Sequence, residues 1–484
     1  MKKQVFNPFL PNCEYIPDGE PHIFEDRLYV FGSHDKFDGN QFCLNDYVCY
    51  SAPLTDLSDW HYHGIMYRKS QDPFAKSDSI MQAPDVVQGN DGKYYLFYAL
   101  GKVPFVSVAV SEKPSGPYKY HGIVRWEDGT IAGSRENDIF MFDPGVFKDD
   151  DGKIYLYTGF GPEEEGFFKD ICKKYQMDGA YAFLLDDDMI TIKEYYGSIV
   201  PKKKYSNGTS FEGFGFYEAA SMRKIENTYY FIYSSERSHE LCYATSNSPF
   251  KDFVFQGTLI SNCDYGLLGS VKYKNYAGNT HGSIVCVNDQ WYVFYHRQTN
   301  GHTYSRQACA EKLERTKSGH FLQAELTSCG LNDGVLSGNG IYNCSIACHL
   351  WSKEGAIYYH AENDYKKGSH PYFTQEERDG STVETQYIAN VQDETVVGYK
   401  YFDLSKTKEI GIELNGEGEG KIVLSYDEEF GQEAILGEIE VVATDEKHWF
   451  TSVLHTSGSV HSALYLKYIG SGNVNLYKLK LEGK

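Results

Sequence analysis

Five stretches of this chain repeat one pattern: a small or acidic residue, a short apolar run, a polar turn, then a Tyr-rich run. They are residues 17–35, 83–100, 142–160, 217–236 and 280–298. Each reads as two strands joined by a tight turn, such as Asn90-Asp91-Gly92 or Asp150-Asp151-Gly152, where glycine accepts positive φ. Tyr29, Tyr95, Tyr155, Tyr230 and Tyr292 align, at steps of 66, 60, 75 and 62 residues. A four-stranded antiparallel sheet with its loops takes about that much chain. Such sheets, repeated radially, make a β-propeller, so the pattern predicts five blades. Helical periodicity is nearly absent up to residue 340, which sets aside an α/β fold.

The first strand of each repeat opens at an equivalent position. Asp18, Asp85, Asp143, Glu218 and His281 stand there, 11, 10, 12, 12 and 11 residues before the aligned Tyr. Innermost propeller strands surround the central channel, so these five side chains are expected at one mouth. A lone carboxylate there can simply cap a turn. Four crowded acids repel, a cost that folds accept where a site uses it.

After residue 350 the character changes. Cysteine disappears and short alternating strands follow, among them QYIANV, VVGYKYFDL, EIGIELNG, GKIVLSYD and SALYLKYIG. Seven or more such strands between Gly-, Asn- and Ser-rich turns predict a β-sandwich. The expected fold is all-β, a five-bladed propeller over residues 1–340 and a sandwich over 341–484. The linker is not Pro-rich, so the two units are expected to pack together. Asp150-Asp151 and Asp186-Asp187-Asp188 read as solvated turns, Trp60 as a blade-packing residue and Trp449 as core.

Composition narrows the ligand. The chain has 484 residues, 46 basic and 67 acidic, for a net charge of −21. That excess argues against nucleic acid or an anionic membrane as partner and leaves room for a neutral one. Tyr occurs 41 times and aromatics reach 15%, which suits sugar rings, although most of these Tyr residues read as strand formers. The 11 Cys show no zinc spacing and fit a reduced compartment, so the expected location is cytoplasmic. No apolar run reaches bilayer length, and no nucleotide fingerprint or Ser/Cys triad stands out.

A ring of acids with aromatic neighbours suits glycosidic bond cleavage. One carboxyl group donates a proton to the leaving oxygen, and a second attacks the sugar or activates water. A third raises the pKa of the acid by its own charge. Spacing alone leaves open which residue takes which part.

These residues resemble glycoside hydrolase family 43, whose members are five-bladed propellers with three essential acids. The likeness runs over residues 7–330. NPFLPNCEYIPDGEPHIF resembles the first-blade signature, which implies that Asp18 is the base, although Gly19 stands where the family has Pro. Glu20 is the less favoured choice, since Asp18 keeps the 11-residue distance to Tyr29. FDPGVFKDDDGKIYLYTG implies that Asp143 tunes the acid, and FYEAASMRKIENTYYFIYSS that Glu218 is the general acid. GNTHGSIVCVNDQWYVFYHR implies an axial role for His281, binding water or an ion. The tail is similar to a carbohydrate-binding module of family 6 type.

The resemblance implies an exo-acting, inverting enzyme that releases arabinofuranosyl or xylosyl units from plant-derived oligosaccharides. His34, Asp35, Asp85, His281 and Arg306 are candidate sugar contacts, each with a structural alternative as a turn pair, blade turn, core histidine or surface group. No cofactor is required on this reading, with a structural cation such as calcium at the axis as an option, His281 its candidate ligand. A galactosyl-specific hydrolase and a non-catalytic sugar-binding propeller are the alternatives.

Overall fold

A computed structural model describes residues 3–101, 103–359, 368–376, 385–456 and 458–483. The first, second and fourth blades are four-stranded antiparallel sheets in sequence order. They begin with strands Glu20–Phe24, Met81–Gln88 and Phe216–Ile225. The third blade begins with Gly145–Lys148 and adds the two-residue strand Arg125–Trp126 at its outer edge. The fifth has three strands, Ile284–Val287, Gln290–Thr299 and His302–Leu313. Its outer edge is met by a side chain in place of a strand. The Asn7 amide accepts from Ala310 N–H at 3.0 Å and donates to Ala310 O at 3.0 Å, the pair of bonds a ladder residue would make.

The five aligned tyrosines explain how the blades associate. Each lies on the second strand of its blade and is 6% exposed or less. Tyr29 packs with Val86 and Leu96 of the second blade, Tyr95 with Val146 of the third, and Tyr155 with Met222 of the fourth. Tyr230 packs with Ile284 of the fifth, and Tyr292 with Leu28 and Val30 of the first, which completes the circle. Burying a large apolar side chain contributes roughly 1.5–3 kcal/mol.

The innermost strands join in the same order. Asp85 accepts from His22 Nε2 at 2.6 Å and from Val146 N–H at 2.8 Å, tying the second blade to the first and third. A Cβ on Gly145 would stand 2.2 Å from Ala220 O, so only glycine lets the third and fourth blades approach. Ser221 Oγ and Ser283 Oγ lie 2.9 Å apart, and Gly19 bridges Gly282.

The sandwich follows. One sheet is built on Val396–Asp403, Ser462–Ser471, Glu419–Ser425 and Ile435–Val442; the other on Gln386–Val391, Val474–Gly483, Thr407–Gly416 and His448–Val453. Two short strands, Leu336–Ser337 ahead of the boundary expected from sequence and Gly340–Asn343 across it, pair into these sheets. Trp449 differs from its reading as core. It lies on the edge strand, 39% exposed, with Thr451 and Val453 also facing outward.

The two units are joined by buried polar contacts. Arg297 donates to Ser345 O at 2.7 Å, to Gln307 Oε1 at 2.9 Å and to Gln386 Oε1 at 3.3 Å, and lies over the Phe373 ring. His349 bonds Asp264 at 2.8 Å, and Lys400 bonds Glu325 at 2.8 Å.

Candidate active site

The starts of the inner strands are bent backbone. Asp18 has φ 59°, Asp143 φ 46° and Ala219, just after Glu218, φ 68°. The left-handed region costs an L-residue about 1–2 kcal/mol, least for Asp and Asn. Register shifts on both sides of Glu218 mark a bulge, which turns a strand residue toward the channel. The same bulge aims the Ala219 N–H at the Asp143 carboxylate. Local geometry thus links the acid on the fourth blade to the acid on the third.

Exposure sorts the acids. Asp18 and Asp143 side chains are each 7% exposed and Glu218 13%, whereas Glu20 is 2% and Asp35 and Asp85 are 0%. Only the first three open to solvent enough to meet a ligand.

Their surroundings drive them apart. Burial alone would raise Asp18, but Arg306, His296 and His281 hold it below the usual carboxylate range. Arg306 Nη1 donates to Asp18 Oδ1 at 2.9 Å. The His296 ring donates from Nε2 to Asn279 O at 2.7 Å, which leaves Nδ1 to accept the Asp18 N–H at 3.2 Å. Burial and then the Asp143 charge push Glu218 up to about 8. Burial likewise carries Asp143 up to about 7, with His281 opposing and Asp18 adding. His281 lies between Asp143 and Glu20, 3.6 Å from each. Burial acts to lower it, but Glu20, 3.6 Å away, and the charges of Asp143 and Asp18 bring it to about 9. It is therefore a cation at neutral pH.

The remaining residues named from sequence have other tasks. Asp35 grips Arg306 through Nε at 2.9 Å, Nη2 at 3.0 Å and the backbone N–H at 3.0 Å. Both belong to the site as support: Asp35 fixes Arg306, and Arg306 fixes Asp18. Contact with sugar is closed to Asp35 and Asp85 by their burial, and Asp85 is committed to holding three blades together. His34 donates to Asp46 O at 2.9 Å and stands 3.6 Å from Glu14. Trp60 packs on Phe9, as a blade-packing residue does.

Sequence reading weighed Glu20 but missed its neighbours Arg223 and Ser221, and also His239 and Tyr217. Glu20 accepts from Arg223 Nη2 at 2.8 Å and Ser221 Oγ at 3.0 Å, and is drawn down to about 2 by Arg223 and His281 against its burial. This ion pair removes Glu20 from contention as base. His239 Nδ1 lies 3.7 Å from Glu218, and burial keeps that ring neutral, near 4. Tyr217 packs edge-on against His239 at 4.4 Å. Nothing in the repeat pattern marks His239 or Arg223; only folding brings them to the ring.

One place fits a metal ion. Oε1 of Glu20 is buried and has no hydrogen-bond partner among the described residues. Its ligand atom, with those of His22 and Asp85, falls within a 4.8 Å cluster. Two carboxylates and water would satisfy a hard cation of six to eight oxygens. The clustered donors are Glu20, His22 and Asp85, and His281, the residue named from sequence, stands beside them, 3.6 Å from Glu20. Two hollows, about 610 and 1020 Å³, lie along the seam instead. Ion pairs such as Lys400–Glu325 line them, and none of the ring acids does.

Residues 17–321 match the family described as glycosyl hydrolases family 43. The chain is 45% identical to a xylosidase/arabinosidase of Thermoclostridium stercorarium, over 99% of each protein. It is 28% identical to a xylosidase/arabinosidase of Bacteroides ovatus, over 66% of this chain and 97% of that one. A solved β-xylosidase/α-arabinofuranosidase from a compost microbial metagenome, in complex with xylotriose and in a calcium-free form, is 26% identical with a TM-score of 0.51. That likeness covers 67% of this chain and 98% of the other.

Proposed function

The chain belongs to glycosyl hydrolases family 43, and from that premise we propose an exo-acting, inverting glycosidase that releases α-L-arabinofuranosyl or β-D-xylosyl units from plant-derived oligosaccharides. The observation that carries this reading is the divergence of two carboxyl groups close enough to feel each other's charge. Glu218 is held protonated to about 8, and Asp18 is held ionised. A pair pushed apart in this way can act as acid and base at the same pH.

The steps follow from those states. Asp18 takes a proton from a water molecule as that water attacks the anomeric carbon. Glu218 gives its proton to the departing oxygen. Asp143 keeps Glu218 protonated through its charge and bulge contact. His281 and Arg306 keep the crowded acids from repelling one another apart. Exo action is supported by the near-burial of all three acids, which suits a chain end better than a through-running polymer.

A calcium ion held by Glu20, His22 and Asp85 is part of the proposal. It would neutralise a buried carboxylate and brace the first two blades. Calorimetric titration of chelator-treated enzyme with calcium tests it, and Glu20→Gln should abolish the binding heat.

The main test is incubation with aryl arabinofuranoside, xyloside and galactoside, following the first-formed anomer by NMR. Inverted pentose is expected. A retained product overturns the water attack. Preference for the galactoside favours a galactosyl hydrolase of this fold, and sugar binding without turnover favours a non-catalytic propeller.

A further inference from the structure

The sandwich side of the molecule reaches the general acid. Residues 357–359 run as an extended bridge along Ala277, with Ala277 N–H donating to Ile357 O at 3.1 Å and Tyr359 N–H to Ala277 O at 2.8 Å. Side chains alternate across extended backbone. Tyr359 points into the sandwich, 1% exposed and stacked on Tyr276 at 4.9 Å. Tyr358 points the other way, toward the propeller mouth. Its ring centre lies 6.0 Å from that of His239, which itself stands 3.7 Å from Glu218. Tyr358 remains partly exposed. Burial and the Glu218 charge both raise its hydroxyl, while neither Asp18 nor Asp143 is among its main influences.

The position has a chemical meaning if Glu218 protonates the leaving oxygen. Asp18 serves the water side of the sugar, so the Glu218 side is where the departing group sits. Tyr217, His239 and Tyr358 form an aromatic wall there. Rings of this kind present an apolar face to a sugar and a polar edge to its hydroxyls. We propose that Tyr358, delivered by the C-terminal unit, is a specificity-determining residue that stacks on the sugar just beyond the scissile bond. The proposal rests on the glycosidase reading and makes the propeller's site incomplete without the sandwich.

The test compares two substrates carrying the same pentosyl group, a disaccharide and a glycosyl fluoride. Fluoride offers no ring to stack on. In the full chain, Tyr358→Ala should lower kcat/KM on the disaccharide about tenfold more than on the fluoride, chiefly through KM. Tyr358→Phe should recover most of the loss. Should the alanine variant fold poorly, Tyr358→Leu keeps bulk without a ring and must show the same split. Equal losses on both substrates, or none on either, would overturn the role of Tyr358 alone. Wild-type enzyme inert toward both substrates would overturn the glycosidase reading as well.

Discussion

At the propeller mouth, Asp18, Glu20, Asp143 and Glu218 share one volume with Arg223, Arg306 and His281. At the seam, Arg297, Asp264, His349 and Lys400 are buried to a similar degree, and Glu325 is half-buried. Seam charges meet complementary partners: Arg297 is spread over carbonyl and amide oxygens, and Lys400 has its own Glu325. At the mouth, acids outnumber what the cations satisfy, and two of them are driven up to about 7 and 8. Buried charge by itself therefore does not mark a site. Unrelieved like charge, kept partly open to solvent, does.

The contrast can be broken most forcefully at the mouth. Glu218→Gln and Asp18→Asn should each lower kcat on a disaccharide by about 10²–10⁴-fold, in steady-state assays. For Glu218→Gln the loss should shrink on substrates with very good leaving groups, which need little protonation. Near-normal turnover in either variant would remove the role assigned to it.

The seam answers in stability instead. Arg297→Ala strands several buried oxygens and should cost about 3 kcal/mol in chemical denaturation. A comparable loss of kcat in the protein that remains folded would erase the distinction between the two regions.

A smaller effect sharpens the comparison by pH. Glu218 must carry its proton to act, and it loses it near 8, so kcat/KM should fall as pH rises past that value. In Asp143→Asn a negative neighbour is gone and Glu218 ionises more readily. The alkaline limb should then move to lower pH in a kcat/KM profile. An unmoved limb would mean that burial alone sets the acid. The least change is expected from Trp449→Ala, at most about 1 kcal/mol by thermal melting, since its ring lies partly in solvent.

Much of this was legible in the chain because a propeller writes its period into sequence. The Tyr positions recur since every blade must offer the same ring to the next, and the acids recur since every inner strand opens on the same channel. Asp85 shows where that reasoning stops. It occupies the repeat position, but a register shift between Gln82 and Asp85 points its carboxylate into the neighbouring strands. A pattern with period in chain length does not encode the direction of one side chain. The Glu20–Arg223 pair spans 203 residues, so only closure of the ring reveals it. Trp449 reads as core by residue type alone, yet its strand lies at the edge of its sheet and leaves the ring 39% exposed. The strand Leu336–Ser337 is too short to show any alternation.

The twisted backbone at positions 18 and 143 also limits what can replace them. That conformation is least costly for glycine, asparagine and aspartate and penalises most other side chains. Glutamate, the chemist's first conservative swap, would carry both a longer arm and a reluctant main chain. Architecture has thus shortlisted the amino acids from which the reaction could recruit, and the amide isosteres are the cleanest instruments for questioning it.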